Sequence, residues 1–323
     1  MNLLQQLIET GPTRIAVDSS YYIAGALGLL AIQTLLGAVK PSILSTKAKR
    51  ILGTPLLVAD LLLPAMFSDN SGSWNLLGAT IPFMTFLRFV DLYWLAPAIQ
   101  GVEAHTSVLS LQKEFWKCMR VFPKEEDKEK YVKNRVKQWR TLMEFPICST
   151  SLGELWSFRW HQSLKPTWLN FPLREVRLIT ERFFMKKKNK NAKRLGIMAA
   201  GLSVFIASGV LHEYLAYVNT GLSDYKEFVG YEFWFFTLHG VAVLCEKFVE
   251  KACQGQSWTQ NPLIKALRRA WTLGFLFITF PLFLRGFLYW DSWYPGTLTP
   301  YQPKMIEWMH EIPGMRNVSG SLF

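Results

Sequence analysis

Five histidines are the scarce ionisable side chains of this 323-residue sequence, and two of them, His212 and His239, fall inside long apolar runs. An ionisable group in such a run is costly, so it implies a function or a specific partner. His212 lies in Ser208-Gly209-Val210-Leu211-His212-Glu213. On a helix, Ser208 and Gly209 stand one turn before it and Ala216 one turn after, leaving open space along the imidazole face. That space suits a substrate, and equally a closely packed helix, as do Gly196, Ala200, Ser203 and Ala207. Its position and surroundings favour a functional role for His212 over a purely structural one. Glu213 points about 100° away on a helix and is not automatically its partner. A zinc protease of the H-E-x-x-H type would need a second His at position 216, where Ala216 stands. Desaturase chemistry would need several His clusters, which five residues cannot supply.

His239 lies in Phe235-Phe236-Thr237-Leu238-His239-Gly240, with Glu232 and Glu246 seven residues to either side. The three share one stripe of a helix, which should face the protein interior. A structural hydrogen-bond network and a catalytic role both fit it. A third constellation runs Ser151-Leu152-Gly153-Glu154-Leu155-Trp156-Ser157-Phe158-Arg159-Trp160-His161-Gln162-Ser163-Leu164-Lys165. Its interleaved aromatic and basic residues fit an anchor at a membrane interface. Single-stranded nucleic acid would suit the same pattern, but no nucleic-acid-binding fold signature accompanies it. His105 and His310 lie in loop-like sequence. Four Cys without paired spacing give neither a disulfide scaffold nor a zinc signature.

The elements that must position these residues follow from composition. Half the residues are hydrophobic and 19% are charged, against roughly 25% in a typical soluble domain. Thirteen Trp and twenty-three Phe exclude intrinsic disorder. Six apolar runs read as membrane-spanning helices: Tyr22 to Val39, Ile51 to Phe67, Trp74 to about Pro97, Leu195 to Val218, Tyr231 to Leu244, and Ala270 to about Trp290. The first covers most of the ~30 Å hydrocarbon core at ~1.5 Å per residue. The third carries Arg88 and Asp91 on one face, a spacing that suits a buried ion pair. Met1 to Ser20 lacks the pattern of a signal peptide.

The formal net charge of +12 concentrates in 40–50, in the long segment 98–194 with its run Lys186 to Arg194, and in 247–269. The alternate loops, 68–73 and 219–230, are nearly free of Lys and Arg. Basic loops stay cytosolic, so this pattern puts both termini in the lumen of the endoplasmic reticulum, on the same side as the sequon Asn317-Val318-Ser319. No internal repeat is evident, and the expectation is one all-α, polytopic domain over 1–323 with about six and up to eight transmembrane helices.

Trp156-x-x-Arg159-Trp160-His161 after Ser151-Leu152, followed by an embedded Leu211-His212-Glu213 and then by Phe235-Phe236-x-x-His239-Gly240 with Glu246, resembles the membrane-bound O-acyltransferase superfamily, closest to its wax synthase-like branch. The likeness covers roughly 151 to 246. It implies an all-helical membrane fold around a tunnel or chamber, where acyl-CoA from the cytosol meets a lipophilic alcohol. By the family's motifs His212 is the catalytic residue. His161 takes the second motif position, which is Asn in many members and His in others, so its role stays open. A thioester is already activated, so no acyl-enzyme is needed, and His212 as base makes the alcohol a competent nucleophile. His161, Trp160 or Arg159 would stabilise the oxyanion or hold CoA. Trp156, His239 and Glu246 complete the expected substrate-binding set.

The resemblance implies no metal and no permanently bound cofactor, with acyl-CoA or acetyl-CoA as co-substrate. The basic stretches 113–140 and 186–194 would steer CoA, fix topology or meet lipid headgroups. The acceptor expected from the resemblance is a fatty alcohol, a sterol or a terpenoid. The branch includes makers of long-chain wax and sterol esters, and acetyltransferases of hydroxylated terpenoid natural products, which the short chain and the Arg159-Trp160-His161-Gln162 form resemble more. Two other classes stay open. A transporter would line its path with Arg88/Asp91 and the Glu232/His239/Glu246 stripe, but would be expected to show paired repeats. An inactive lipid-binding relative would tolerate loss of His212, which is retained.

Overall fold

The computed structural model describes residues 14–68, 72–119, 143–162, 164–187, 189–221, 225–256 and 261–293. Among these the fold is helical except for one short parallel pair, β1 (Ile15–Ala16) beside β2 (Phe67–Ser68). The sequon, His310 and the charged stretch from 120 to 142 lie outside the described residues.

The first apolar run forms α1 (Ser19–Ala38), started by Asp18, whose side chain accepts from Ser20 N at 2.8 Å. The second forms α2 (Thr46–Met66), with Ser45 accepting from Ala48 N at 3.3 Å. Such caps satisfy amide donors that the first helical turn leaves without partners. The third run is α3 (Gly72–Val90), continued by a π-helical turn (Asp91–Leu95) and α4 (Ala96–Gln100). Gly101, at φ +72°, ends it in the left-handed region that glycine adopts freely. After α5 (Val108–Met119) come α6 (Leu152–Glu154), a π-helical turn (Leu155–Arg159), α7 (Lys165–Trp168), a second π-helical turn (Leu169–Leu173) and α8 (Arg174–Lys186). The long helices α9 (Ala192–Thr220), α10 (Tyr231–Ala252) and α11 (Pro262–Trp293) follow.

Among the described residues, three helices are long and apolar enough to cross a membrane: α1, α9 and the Pro262–Gly286 part of α11. The helices α10 and α11 run well past the apolar segments that mark them. Most of 247–269 is therefore helix and not loop, because Lys, Arg and Glu are good helix formers that let a helix continue into water. Along the aromatic stretch Leu152, Leu155 and Trp168 are buried, while Phe158 is exposed. Trp168 joins Phe83 and Leu87 of α3 and Leu211 and Leu215 of α9 in one apolar cluster.

Polar residues inside the bundle bind across helices. Gln33 of α1 donates to Asp60 of α2 at 2.8 Å, and Tyr93 OH donates to Gln33 O at 3.0 Å. Buried Lys49 donates to the carbonyls of Gly37 at 3.2 Å, Ala104 at 2.6 Å and Val39, closing the C-terminal end of α1. The Arg88–Asp91 pair expected from spacing is present at 3.4 Å as part of a wider network. Arg88 lies 2.7 Å from Glu114, and Arg174 of α8 binds Asp91 at 2.9 Å and Glu175 at 2.7 Å.

Helix α9 packs on α8, α10, α11 and α3. Its approach to α10 is close because both present small residues: a Cβ at Gly209 would stand 3.0 Å from Phe233 Cα, and one at Gly240 2.9 Å from Phe205 Cβ. Gly209→Leu should therefore destabilise the fold by about 1–3 kcal/mol, read as a lower melting temperature in detergent. Gly28→Ala in α1, with nothing within 4 Å, should leave it unchanged or slightly higher.

Candidate active site

The π-helical turn at Leu155, α7, and the central parts of α9, α10 and α11 enclose a cavity of about 290 Å³. Trp156, Trp160, Phe235, Phe236, Phe280 and Phe283 make its walls mostly apolar. Polar groups reach it from His161, His212, Ser157, Ser208 and Lys165. Lys165 also donates to Ser157 O at 2.8 Å and lies 4.9 Å from the Phe158 ring centre.

His212 is held on three sides. Its ring stacks on Phe236 at 4.5 Å with a 27° interplanar angle, and Phe283 meets it edge-on at 5.3 Å. Its Nδ1 lies 3.2 Å from Glu232 Oε2. Its Nε2 makes no hydrogen bond to any described residue. Of the small residues around it, Gly209 serves helix packing and Ser208 faces the cavity. Glu213 turns away, accepting from Gly230 N at 3.0 Å, Phe233 N at 2.9 Å and the Tyr225 hydroxyl, and so caps the start of α10.

His239 is fully buried and does not line the cavity. Its Nδ1 accepts from Trp156 Nε1 at 3.1 Å, and its Nε2 lies 2.9 Å from Thr279 Oγ1. The Thr279 hydroxyl gives its one proton to Phe275 O at 2.8 Å, so Nε2 of His239 is the donor in that contact. Both ring nitrogens are thus engaged, tying the Trp156 segment through α10 to α11. Glu246 holds the same segment by accepting from Leu152 N at 2.9 Å and Gly153 N at 3.0 Å, and it also accepts from Trp271 Nε1 at 2.9 Å. Glu232, His239 and Glu246 therefore face three different neighbours and share no polar path.

The remaining expected residues divide similarly. Arg159 points away from the cavity, binding Glu154 at 2.6 Å and Glu144 O at 3.0 Å. Trp156, Trp160 and His161 line the cavity. His161 sits at φ +43°, a left-handed conformation uncommon outside glycine, directly after the π-helical turn. That turn brings the imidazole to the cavity wall beside Trp160, 5.4 Å between ring centres. Burial, and then the proximity of His212, push the His161 imidazole down to about 4.

Among the described residues, no three His, Cys, Asp or Glu side chains gather as metal ligands. The geometry instead offers one imidazole nitrogen, backed through the ring by a carboxylate, to an apolar space. Reading the sequence missed Glu232 as the partner of His212, and Phe283 and Gly286 on α11 altogether. An isolated glycine in an apolar helix was the available signal, since it often marks a close approach.

Two outcomes follow from these contacts. Thr279→Val should leave the buried His239 Nε2 donor without a partner and cost about 1–3 kcal/mol, measured by denaturation in detergent. His161 takes up a proton less readily in the fold than in the unfolded chain, near 6.5. It therefore weighs against the folded state only as pH falls below about 6.5 toward 4. Between pH 7.5 and pH 5 the wild-type melting temperature should drop further than that of His161→Asn.

Residues 139–238 match the family model described as the membrane bound O-acyl transferase family, a range that includes Trp156, His161, His212 and Glu232. Among curated proteins, the chain is 32% identical over 154 residues to the "Probable long-chain-alcohol O-fatty-acyltransferase 3" of Arabidopsis thaliana, covering 44% of this chain and 40% of that protein. It is 28% identical over 141 residues to the member numbered 10 in the same plant's series of names, covering 44% and 37%. The chain thus spans about two fifths of the length of the curated relatives it matches. No solved structure matches it at a significant level. The matched range, its motif residues and these relatives make this part of the chain similar to the membrane bound O-acyl transferase family and to its long-chain-alcohol O-fatty-acyltransferases.

Proposed function

We propose that this chain transfers an acyl group from acyl-CoA to the hydroxyl of a lipophilic, long-chain alcohol in the cavity beside His212. The observation that carries this reading is the imidazole with Nδ1 3.2 Å from Glu232, set in the wall of an aromatic, apolar cavity. In the reaction the alcohol O–H faces His212 Nε2. As its oxygen attacks the thioester carbonyl, the proton passes to Nε2 and the C–S bond then breaks. The thiolate of CoA leaves and takes that proton, so the base is regenerated and no cofactor is consumed. His161 or Trp160, both on the cavity wall, would donate to the oxyanion. Arg159 binds Glu154 and Glu144 O, away from the cavity, so this reading assigns it no oxyanion role.

The names of the curated relatives support a long-chain alcohol and a fatty acyl donor ahead of acetylation of a terpenoid. The apolar walls agree with both partners being greasy. Lys165 and the basic run Lys186 to Arg194 supply positive charge for the CoA phosphates. The wider arrangement in this reading is a single multi-pass domain of the endoplasmic reticulum. Its spans are α1, α2, α3, α9, α10 and α11, with both termini in the lumen.

The test uses the full chain in microsomes, with labelled acetyl-CoA and long-chain acyl-CoA against fatty alcohols, sterols and terpenoid alcohols. His212→Ala should lower ester formation by about 10²–10⁴-fold while the protein stays folded and inserted. Ester formation at the wild-type rate in that variant would contradict the mechanism.

A further inference from the structure

Glu232 occupies the first turn of α10 and is buried, and its contact at ion-pair distance among the described residues is to a histidine and not to an arginine or lysine. Three helices build its niche. From α9 come His212 and Ala216; from α11 comes Gly286, where a Cβ would collide with Glu232 Oε1 and would stand 3.6 Å from Ala216 Cβ. The start of α10 is itself fixed, since Gly230 N and Phe233 N donate to Glu213 at 3.0 and 2.9 Å. One turn after Glu232, Phe236 stacks on the imidazole, and Phe283 closes its edge. The ring plane is thus set by aromatics, and the carboxylate meets only one of its nitrogens.

We infer that Glu232 is the positioning residue for His212: its carboxylate accepts Nδ1–H, which keeps the proton on Nδ1 and leaves the Nε2 lone pair facing the cavity. This rests on the reading of His212 as the base. When Nε2 takes the alcohol proton, the imidazolium stands against a carboxylate, and the buried pair goes from one negative charge to none. Without that carboxylate the neutral ring is free to carry its proton on Nε2, where it cannot accept another. The sequence neighbour Glu213 cannot substitute, because its oxygens are committed to the α10 amides and the Tyr225 hydroxyl. The other titratable groups nearby are His161 from the Trp156 segment and Tyr225 from the turn before α10. From α11 the pair meets Phe283 and Gly286, while Arg285 donates to Tyr231 OH at 2.6 Å.

Nitrogen NMR of the ¹⁵N-histidine-labelled full chain in detergent reads the tautomer directly, with the His212 signals assigned by their loss in His212→Ala. The expected wild-type signal is Nδ1 protonated and Nε2 bare. Glu232→Gln and Glu232→Ala should shift it toward the opposite tautomer or a mixture. In the transfer assay, Glu232→Gln should lower kcat by about 10²–10⁴-fold with KM unchanged. Glu232→Asp should restore part of that loss, and Glu232→Gln should add nothing to His212→Ala. An Nε2–H tautomer in the wild-type protein, or a His212 signal unmoved by both Glu232 variants, overturns the inference whatever the activity. His212→Ala working at the wild-type rate overturns instead the transfer reading beneath it.

Discussion

A polar side chain carried into an apolar helix bundle loses its water and must find a partner within the bundle, at a cost of several kcal/mol if it fails. This requirement organises the chain. Gln33 and Asp60 join α1 to α2, Arg174 and Asp91 join α8 to the turn after α3, and His239 sits between Trp156 and Thr279. Each contact also fixes the vertical register of the elements it joins, which packing of leucine on leucine would leave loose. The pairing is incomplete, since buried Gln33 Oε1, Asp60 Oδ1 and Thr237 Oγ1 find no partner among the described residues, and Nε2 of His212 is a further case. On a ring that lines the cavity, it has no partner among the described residues, while its opposite nitrogen lies 3.2 Å from a carboxylate oxygen.

Several residues of the motif pattern, Arg159, His239 and Glu246 among them, support the cavity wall without lining it. The segment with Trp156, Trp160 and His161 has little regular structure of its own and is held at two levels on α10. His239 takes the indole N–H of Trp156, and Glu246 takes the amides of Leu152 and Gly153. The Arg159–Glu154 pair then closes the loop on the side away from the cavity. Held this way, the π-helical turn ends where His161 can adopt its left-handed backbone and reach the same space as His212. Local strain at such a residue persists only when its surroundings dictate it, as they do here.

The sequence made the helices visible wherever an apolar run exceeded the length of an ordinary core helix, as in α1 and α9. It hid the ends of α10 and α11, since hydropathy marks where a bilayer would lie and says nothing of where helical hydrogen bonding stops. His212 was legible as a candidate because an ionisable group in an apolar run demands an explanation. Its partner was not. Glu232 shares a stripe with His239 and Glu246, yet helical spacing shows only that they face one way. Which neighbour each meets depends on the depth at which α9, α11 and the Trp156 segment pack against α10. The division between cavity-facing Trp160 and outward Arg159 was hidden for a related reason. A π-helical turn shifts the facing of every residue after it, and no composition signal announces one.

The central claim is that the cavity joins two substrates, with the proton of one leaving on the thiol of the other. Its most direct measure is stoichiometry: free CoA thiol and ester followed together in the purified full chain supplied with a long-chain acyl-CoA and a long-chain alcohol. The account predicts that the two products appear in a one-to-one ratio and that thiol release ceases when the alcohol is left out. Thiol released without ester, or neither product from any acyl-CoA and alcohol in the panel, would contradict it.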